Sequence, residues 1–380
     1  MLFGQKIRRA RLGAYYLPLP TLWLGHDLKS SIRVWKYLPE CPGIMLSAHQ
    51  IISKQRFRDA ASTRGIREEL QYNGPIFFDS GGFIFQKKGS LGVSPREILS
   101  IYEQLRPDVG AVLDLPLNPL ASRSANQSRW RVTLSNTRHM IGHAVRTEIA
   151  PVLHCYDVKS LKHCYRSLDA IVQDPAVLCL GSLVPLLRGS YVGSVYARRG
   201  CEQATVRRWR FITQVVSAVR RLYPHSVLHV FGVGSVSTML LLLLLGVDSI
   251  DSVGWRLKAA FGEIQLPGLS NRSLNTSRSE SRTRRALSHE DRELIARCCC
   301  PVCKTVAESR RESMLCGSYT NRAIHNAFVT VAEVVEFRSA LSKGRTIEHV
   351  ASRLHRHEIY ANILERVILQ ELGNHSQEEV

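Results

Sequence analysis

The sequence predicts an α/β protein: a (β/α)8 barrel followed by a smaller zinc-binding subdomain and C-terminal helices. Short apolar runs alternate with helix-like stretches through the first 270 residues, as in a barrel or a doubly wound sheet. Acidic residues or glycines follow several of these runs, and three cysteines cluster in the last quarter of the chain. We therefore predict a catalytic barrel at 1–270, a Ser/Arg-rich loop or linker at 271–290, and the zinc subdomain with helices at 291–380.

The apolar runs are short enough to be strands and are continuous, which is typical of parallel strands buried on both faces. They are residues 43–46, 75–78, 110–113, 150–153, 176–180, 226–231 and 247–250. Two helical stretches are expected near the C-terminus, at roughly 321–341 and 346–372.

The residues that follow these runs are candidates for an active site, because a barrel places its site at the carboxyl ends of its strands. They are Asp79, Asp114, His154, Gly181, Ser182, Gly232, Gly234 and Asp251. Asp248 and Asp251 are three apart, so in a strand they point to opposite faces and only one is expected at the mouth. The sequence thus predicts three carboxylates and one imidazole at a single opening.

Cys298, Cys300 and Cys303, with His325 further along, form a donor set that suits tetrahedral zinc. The position behind the long α/β region favours a structural zinc rather than a catalytic one. Cys316 is a substitute ligand in this interpretation, and Cys299 is a bystander. The alternative is a fortuitous cysteine run unrelated to the histidine.

The net charge of +19 indicates a polyanionic partner, with nucleic acid ahead of an anionic membrane surface or an uninvolved basic face. The arginines are clustered, and those of the 271–290 segment, Arg282 among them, are expected to contact a nucleic-acid backbone. We find no signal peptide, and the longest apolar run, 239–245, is too short to cross a bilayer. Scattered cysteines fit a reducing, cytoplasmic setting without a membrane.

Five motifs occur in one order: Asp-Ser-Gly-Gly-Phe at 79–83, Val-Leu-Asp at 112–114, Gly-Val-Gly at 232–234, the acidic segment 246–251, and the cysteine cluster leading into Asn-Arg-Ala-Ile-His at 321–325. This order resembles the tRNA-guanine transglycosylase superfamily over residues 75–328. Its members are zinc-bearing barrels that exchange a guanine in a nucleic acid for a 7-deazaguanine.

The resemblance implies a role for each matching residue. Asp251 would be the nucleophile that forms a covalent intermediate at C1′, and Asp79 the general acid/base for the departing and incoming bases. Asp114 would bind the guanine-like edge of the base. The remaining substrate contacts implied are Ser80, Gly81, His154, Gly181 and Ser182.

Departures from the tRNA enzymes favour the branch that inserts 7-deazaguanines into DNA. His154 stands where those enzymes typically have glutamine, Ser182 replaces the second glycine of a pair, and a glutamate that would bind an aminomethyl group is absent, which favours the uncharged 7-cyano base. The bacterial stretch that reads the anticodon loop is replaced by Gly-Trp-Arg-Leu-Lys at 254–258. Trp255, Arg256 and Lys258 are therefore predicted to contact nucleic acid, Trp255 being alternatively a core tryptophan.

Three other interpretations stay open. The same base exchange could act on tRNA, the chain could be a non-catalytic partner subunit, or it could be a zinc-dependent nucleic-acid-binding protein without catalysis. The presence of both Asp79 and Asp251 favours an enzyme. The resemblance also suggests accessory proteins of a DNA-modification system and a homodimer as partners. The residues themselves do not test either suggestion.

Overall fold

The computed structural model describes residues 8–82, 84–85, 91–118, 121–155, 158–183, 186–187, 202–269, 271–274 and 286–378. Its centre is a ring of parallel strands: β3 (Thr21–Gly25), β4 (Ile44–Ser47), β5 (Ile76–Asp79), β6 (Val109–Ala111), β7 (Glu148–Ala150), β8 (Val152–His154), β9 (Val177–Gly181), β10 (Val227–Val230) and β11 (Ser249–Ser252). The ladder runs β7-β6-β5-β4-β3-β11-β10-β9-β8.

Strands β7 and β8 are two halves of one chain segment, separated only by Pro151. The first half pairs with β6 and the second with β9, so this segment joins the two ends of the ladder. Proline has no amide hydrogen to donate, which explains the interruption in the assigned strand. The ring therefore closes with eight strand positions, and the barrel prediction is confirmed.

Two elements were missed from the sequence. β3 supplies the eighth strand position, between β4 and β11, and each of its five residues is buried. An antiparallel hairpin precedes it, formed by β1 (Arg9–Leu12) and β2 (Tyr15–Pro18). Alternating exposed and buried positions in the hairpin give a weaker apolar signal than the continuous runs of the ring.

The helices lie between the strands and after them. Those of the barrel region are Ala48–Ser53, Gln55–Arg64, Ile66–Leu70, Pro95–Leu105, Arg123–His143, Val158–Asp169, Glu202–Leu222, Val236–Leu244 and Gly254–Ala260, with a 3-10 turn at Val34–Lys36. A short antiparallel pair follows, β12 (Glu263–Ile264) with β13 (Arg272–Ser273).

The C-terminal part is helical. Its helices are His289–Ala296, Arg311–Gly317, Tyr319–Ser342, Thr346–Leu354, Glu358–Ile363 and Leu369–Glu378, with 3-10 turns at Cys303–Thr305 and Glu308–Arg310 and a π-helical turn at Leu364–Ile368. The helix predicted at 321–341 is confirmed within a few residues. The stretch predicted at 346–372 is broken after Leu354 and resumes at Glu358.

Two hydrophobic clusters organise the packing. The larger one fills the barrel and extends to the C-terminal helices, reaching Leu372. The smaller one surrounds the cysteines and joins Ile264, Leu266 and Ile295 to Cys300. The domain boundaries given above stay predictions. Among the described residues, no helix combines the length and apolarity needed to span a membrane.

Candidate active site and metal centre

Asp251 lies on β11 with its side chain at the carboxyl end of the barrel, and the residue is 7% exposed. Its Oδ1 accepts a hydrogen bond from the amide of Gly232 at 2.7 Å. Gly232 has a φ of +69°, a conformation that glycine adopts without strain, and this turn directs its amide to the carboxylate. In the part of the chain that the structure describes, no hydrogen bond reaches Oδ2 of Asp251. One oxygen is therefore held and the other is open to a ligand.

His229, which the sequence reasoning missed, faces the same carboxylate. It lies on β10, is 0% exposed, and places Nε2 3.4 Å from Oδ1 of Asp251. Its Nδ1 lies 2.8 Å from Oγ of Ser249, which accepts a hydrogen bond from Nε1 of Trp23 at 2.8 Å. The sequence did offer one signal for His229, a titratable residue in the middle of the mainly apolar run 226–231.

Asp114 follows β6 and is 6% exposed. Its Oδ1 accepts a hydrogen bond from Oγ of Ser80 at 3.1 Å. A Cβ on Gly82 would lie 2.5 Å from the same oxygen, so the glycine makes room for the carboxylate. The Asp-Ser-Gly-Gly run thus supports Asp114 as well as carrying Asp79.

His154 ends β8 and is 0% exposed. Its Nε2 lies 3.2 Å from Oδ2 of Asp114, although not aligned as a hydrogen bond. Its Nδ1 lies 3.0 Å from Oγ of Ser182, which accepts the amide hydrogen of Leu117 at 2.9 Å. The imidazole is therefore fixed from behind and directed at the Asp114 carboxylate.

Gly181 and Ser182 have local reasons for their positions. A Cβ on Gly181 would lie 2.5 Å from the ring of His154, so the imidazole occupies the space that a side chain would need. Ser182 has a φ of +65°, in the left-handed region that favours glycine. The hydroxyl contact to His154 is what a glycine at this position could not provide.

Asp79, the last residue of β5, is half-buried and close enough to Asp114 and Asp251 to interact with both charges. Burial, together with the charges of Asp114 and Asp251, raises the pKa of Asp79 to about 7, against the lowering effect of hydrogen bonds from the Gly81 and Ser80 amides. A carboxyl group with a pKa near neutrality can both give and take a proton. The mouth therefore holds a proton carrier beside a carboxylate with an open oxygen.

Cys298, Cys300, Cys303 and His325 come together as the sequence predicted, with their donor atoms within 4.8 Å of one another. Nδ1 of His325 lies 3.5, 3.5 and 3.7 Å from the three sulfurs. Tetrahedral zinc, with bonds of about 2.3 Å to sulfur and about 2.0 Å to nitrogen, requires about 3.5 Å between such atoms. The donor set therefore fits a metal such as zinc. Cys299 and Cys316 are exposed and lie outside the cluster.

The metal centre is tied to the segment that follows Asp251. Nε2 of His325 lies 2.9 Å from the carbonyl oxygen of Gln265, which leaves Nδ1 for the metal. The next residue, Asn326, accepts the Gln265 amide at 2.7 Å and donates to the Trp255 carbonyl at 3.1 Å. A metal here would thus hold the helix Gly254–Ala260 in place beside β11.

A sequence model of the queuine tRNA-ribosyltransferase family matches residues 38–359. The chain belongs to this family. It is similar to the tRNA-guanine(15) transglycosylases of Thermococcus kodakarensis (26% identical over 328 residues, 84% of this chain and 49% of theirs) and Methanosarcina mazei (26% over 336 residues, 85% and 59%). The corresponding protein of Methanobrevibacter smithii is 23% identical over 373 residues, 93% of this chain and 48% of its own. The chain spans about half the length of the curated relatives it matches.

These comparisons confirm the superfamily and do not confirm the DNA branch, because all three relatives are named for tRNA.

The side chains predicted to contact nucleic acid are less accessible to a ligand than the sequence indicated. Trp255 is 1% exposed and belongs to the barrel cluster, which favours the core alternative. Arg256 forms an ion pair with Asp27 at 3.0 Å, and Lys258 is partly buried beside Gln265, with burial lowering the pKa of Lys258 to about 8. Arg282 lies outside the described residues.

Asp248 and Arg220 have structural roles. Arg220 is 6% exposed and binds Asp248 together with the carbonyls of Gly246 and Ser226. Arg8 adds a second ion pair to Asp248 at 2.6 Å. Only Asp251 of the two acidic residues is at the mouth, as predicted, and Arg220 is not part of a nucleic-acid surface.

A cavity of about 500 Å³ lies between the helices Arg123–His143 and Val158–Asp169. Trp130 forms part of its wall, and the ring of Trp130 meets that of His154 edge-on at 6.0 Å between centroids. Its basic lining residues are Arg123, Lys162, His163 and Arg166. This basic surface near Asp114 was not singled out from the sequence.

Proposed function

We propose that the protein is a guanine transglycosylase that exchanges a guanine in a nucleic acid for a 7-deazaguanine through a covalent aspartyl intermediate. The observation that carries the proposal is the grouping of three carboxylates in different environments at one barrel mouth, in a chain of the queuine tRNA-ribosyltransferase family.

Asp251 is the proposed nucleophile because Oδ1 is held and Oδ2 is open. In the first step Oδ2 bonds to C1′ while the C1′–N9 bond breaks, and its electron pair leaves with the guanine. A carboxylate suits this step since positive charge develops on the sugar as the bond breaks. In the second step a nitrogen of the incoming base displaces the carboxylate.

Asp79 is the proposed general acid/base. With a pKa of about 7 it holds a proton in much of the protein near neutral pH, and this proton can pass to the departing guanine. The same carboxylate then receives the proton of the incoming base. Ser80 and Gly81 keep the loop that carries it close to Asp114.

Asp114 and His154 are proposed to bind the Watson–Crick edge of the base. A carboxylate accepts hydrogen bonds from the ring N–H and the amino group of guanine, which a 7-deazaguanine retains. His154, placed by Ser182 and packed on Gly181, fixes the carboxylate in position for these bonds. The 7-cyano base remains the proposed incoming substrate.

tRNA is the polymer that the named relatives favour. DNA is the second candidate, supported by the sequence Gly-Trp-Arg-Leu-Lys after the nucleophile, which forms the helix Gly254–Ala260. The basic cavity beside Trp130 suits a phosphate backbone of either kind, since Arg123, Lys162 and Arg166 line it. An accessory protein and a second copy of the chain are further partners proposed from the resemblance alone.

The test incubates the purified protein with 7-cyano-7-deazaguanine and either bulk tRNA or double-stranded DNA. Each polymer is then digested to nucleosides and read by mass spectrometry. We expect the deazaguanosine in tRNA and its loss in Asp251→Asn. Asp59→Asn is the matched control, because Asp59 is exposed on the helix Gln55–Arg64 and lies outside the site.

The product identifies the polymer. Incorporation into DNA alone would select the second candidate and reject the first. The absence of the base from both polymers, with a folded wild-type protein, would contradict base exchange with this substrate. Incorporation that survives Asp251→Asn would reject the assigned nucleophile.

We propose that the metal bound by Cys298, Cys300, Cys303 and His325 is zinc with a structural role. Cys300→Ala should remove one zinc per chain by elemental analysis and lower the free energy of unfolding by about 3 kcal/mol or more. Cys299→Ala is the control, since this neighbour is exposed and outside the cluster. Equal zinc content in the two variants would contradict the assignment.

A further inference from the structure

We propose that His229 is a positioning residue for Asp251: a neutral imidazole, fixed with its proton on Nε2, that holds Oδ1 and leaves Oδ2 free to react. The proposal rests on the proposed function for its chemistry, but the proton arrangement can be tested without it. His229 was not among the residues that the resemblance assigned.

The proton arrangement follows from the donors behind the imidazole. Nε1 of Trp23 can only donate, so Oγ of Ser249 is the acceptor of their 2.8 Å hydrogen bond. The hydroxyl proton of Ser249 then needs an acceptor of its own, and Nδ1 of His229 lies 2.8 Å away. With Nδ1 accepting, a neutral imidazole carries its proton on Nε2.

The Nε2 proton faces Oδ1 of Asp251. Nε2 of His229 has no aligned hydrogen-bond partner among the described residues, and Oδ1 of Asp251 is 3.4 Å away. The rings of Phe77 and Phe231 pack against the imidazole, with centroids at 5.0 and 4.7 Å, and His229 is 0% exposed. Such distances in ligand-free enzymes commonly shorten when the substrate binds.

Two donors on one oxygen give Asp251 a defined orientation. Gly232 and His229 both address Oδ1, so rotation of the carboxylate would lose both contacts. When Oδ2 becomes the ester oxygen, Oδ1 becomes the carbonyl oxygen and remains in the same place. When the incoming base displaces the ester, the negative charge returns to a carboxylate whose donors are already in position.

The expected consequence is an effect on rate rather than on base binding. A hydrogen bond to a charged group contributes about 1.5–3 kcal/mol, which corresponds to about 10–100-fold. Loss of the His229 donor should lower kcat and the rate of covalent-adduct formation by about this factor. The KM for the incoming base should change by less than about threefold, because Asp114 binds the base at a different wall.

Two amide substitutions separate the donor from the packing. In His229→Gln the amide nitrogen can take the place of Nε2, whereas in His229→Asn it takes the place of Nδ1 and cannot reach Asp251. Both variants lose the same ring. We expect His229→Gln to keep kcat within about threefold and His229→Asn to lose it; equal losses at equal stability would overturn the positioning role.

A measurement without substrate tests the proton arrangement directly. The protein is labelled with 15N-histidine, and the His229 ring signals are identified by their loss in His229→Asn. We expect the neutral tautomer with its proton on Nε2, and its disturbance in Ser249→Ala. A proton on Nδ1, or a spectrum unaffected by Ser249→Ala, would overturn the proposal even if base exchange is confirmed.

The two parts can fail separately. Wild-type protein that forms no adduct with either polymer would contradict the proposed function, while the tautomer would still be decided by the spectrum. Adduct formation at the wild-type rate in His229→Asn would reject the positioning role and leave base exchange standing.

Discussion

Two carboxylates at the barrel mouth, Asp251 and Asp114, are each faced by a buried histidine. Nε2 of His229 lies 3.4 Å from Asp251, and Nε2 of His154 lies 3.2 Å from Asp114. Both imidazoles are 0% exposed and both come from strands of the ring. The same construction therefore occurs twice around one opening.

The similarity extends to the far side of each ring. A serine hydroxyl lies next to each Nδ1, Ser249 in one case and Ser182 in the other. Each hydroxyl accepts a bond from a group that can only donate, the indole of Trp23 or the backbone amide of Leu117. In both chains of hydrogen bonds the hydroxyl proton is left for Nδ1 to accept, which places the ring proton on Nε2.

The difference lies in how the carboxylate oxygens are engaged. In Asp251, Gly232 and His229 address the same oxygen, and Oδ2 is left open. In Asp114, Ser80 addresses Oδ1 and His154 faces Oδ2, so both oxygens are approached. A carboxylate held on one oxygen can attack with the other, whereas one held on both presents a fixed acceptor edge to a base.

The largest predicted effect tests whether Asp251 and Asp114 have different roles. Asp251→Asn should abolish the covalent adduct on a denaturing gel and lower base exchange by at least about 1,000-fold, because an amide is a poor nucleophile. Asp114→Asn should still form adduct with the polymer at high concentration, but with a KM for the incoming base raised at least about tenfold, because an amide donor meets the donor edge of the base.

The two variants are matched, since each replaces one buried carboxylate oxygen by nitrogen. Their unfolding transitions provide the control for structural damage. If Asp114→Asn abolished the adduct as completely as Asp251→Asn at equal stability, the division between a reacting and a recognising carboxylate would be wrong.

Strand ends and ligand spacing explain what the sequence could predict. Asp79, Asp114, His154 and Asp251 follow apolar runs, and parallel strands in a ring bring their ends together whatever the details of packing. The cysteine spacing likewise restricted the metal set to a short local loop and one histidine. These features depend on local order along the chain.

What escaped prediction depends on contacts between distant segments. The role of His229 requires Ser249 and Trp23, which lie on different strands, and no local pattern joins them. From the sequence, Trp255 could stack on a base or fill the core. The structure shows it buried, with its carbonyl hydrogen-bonded to Asn326, which holds the helix Gly254–Ala260 against the zinc region. β3 was missed because its apolar run, Leu22 to Leu24, is only three residues long and lies between a threonine and a glycine.

The last prediction concerns the third carboxyl group of the mouth, Asp79, which interacts with both Asp114 and Asp251. Its expected effect is on stability and is measured as a change in stability with pH. Its pKa is raised to about 7, so the folded protein binds a proton there that the unfolded chain releases near pH 4. That contribution to stability is present at low pH and is lost as the pH rises through about 7. Asp79→Asn, neutral throughout, should therefore nearly equal the wild type in unfolding free energy near pH 4 and exceed it by about 4 kcal/mol at pH 8. Urea unfolding between these limits, with Asp59→Asn as the exposed control, measures the difference. A gain that does not grow with pH would mean that Asp79 is ionised alongside Asp114 and Asp251, and that the proton for the departing base comes from elsewhere.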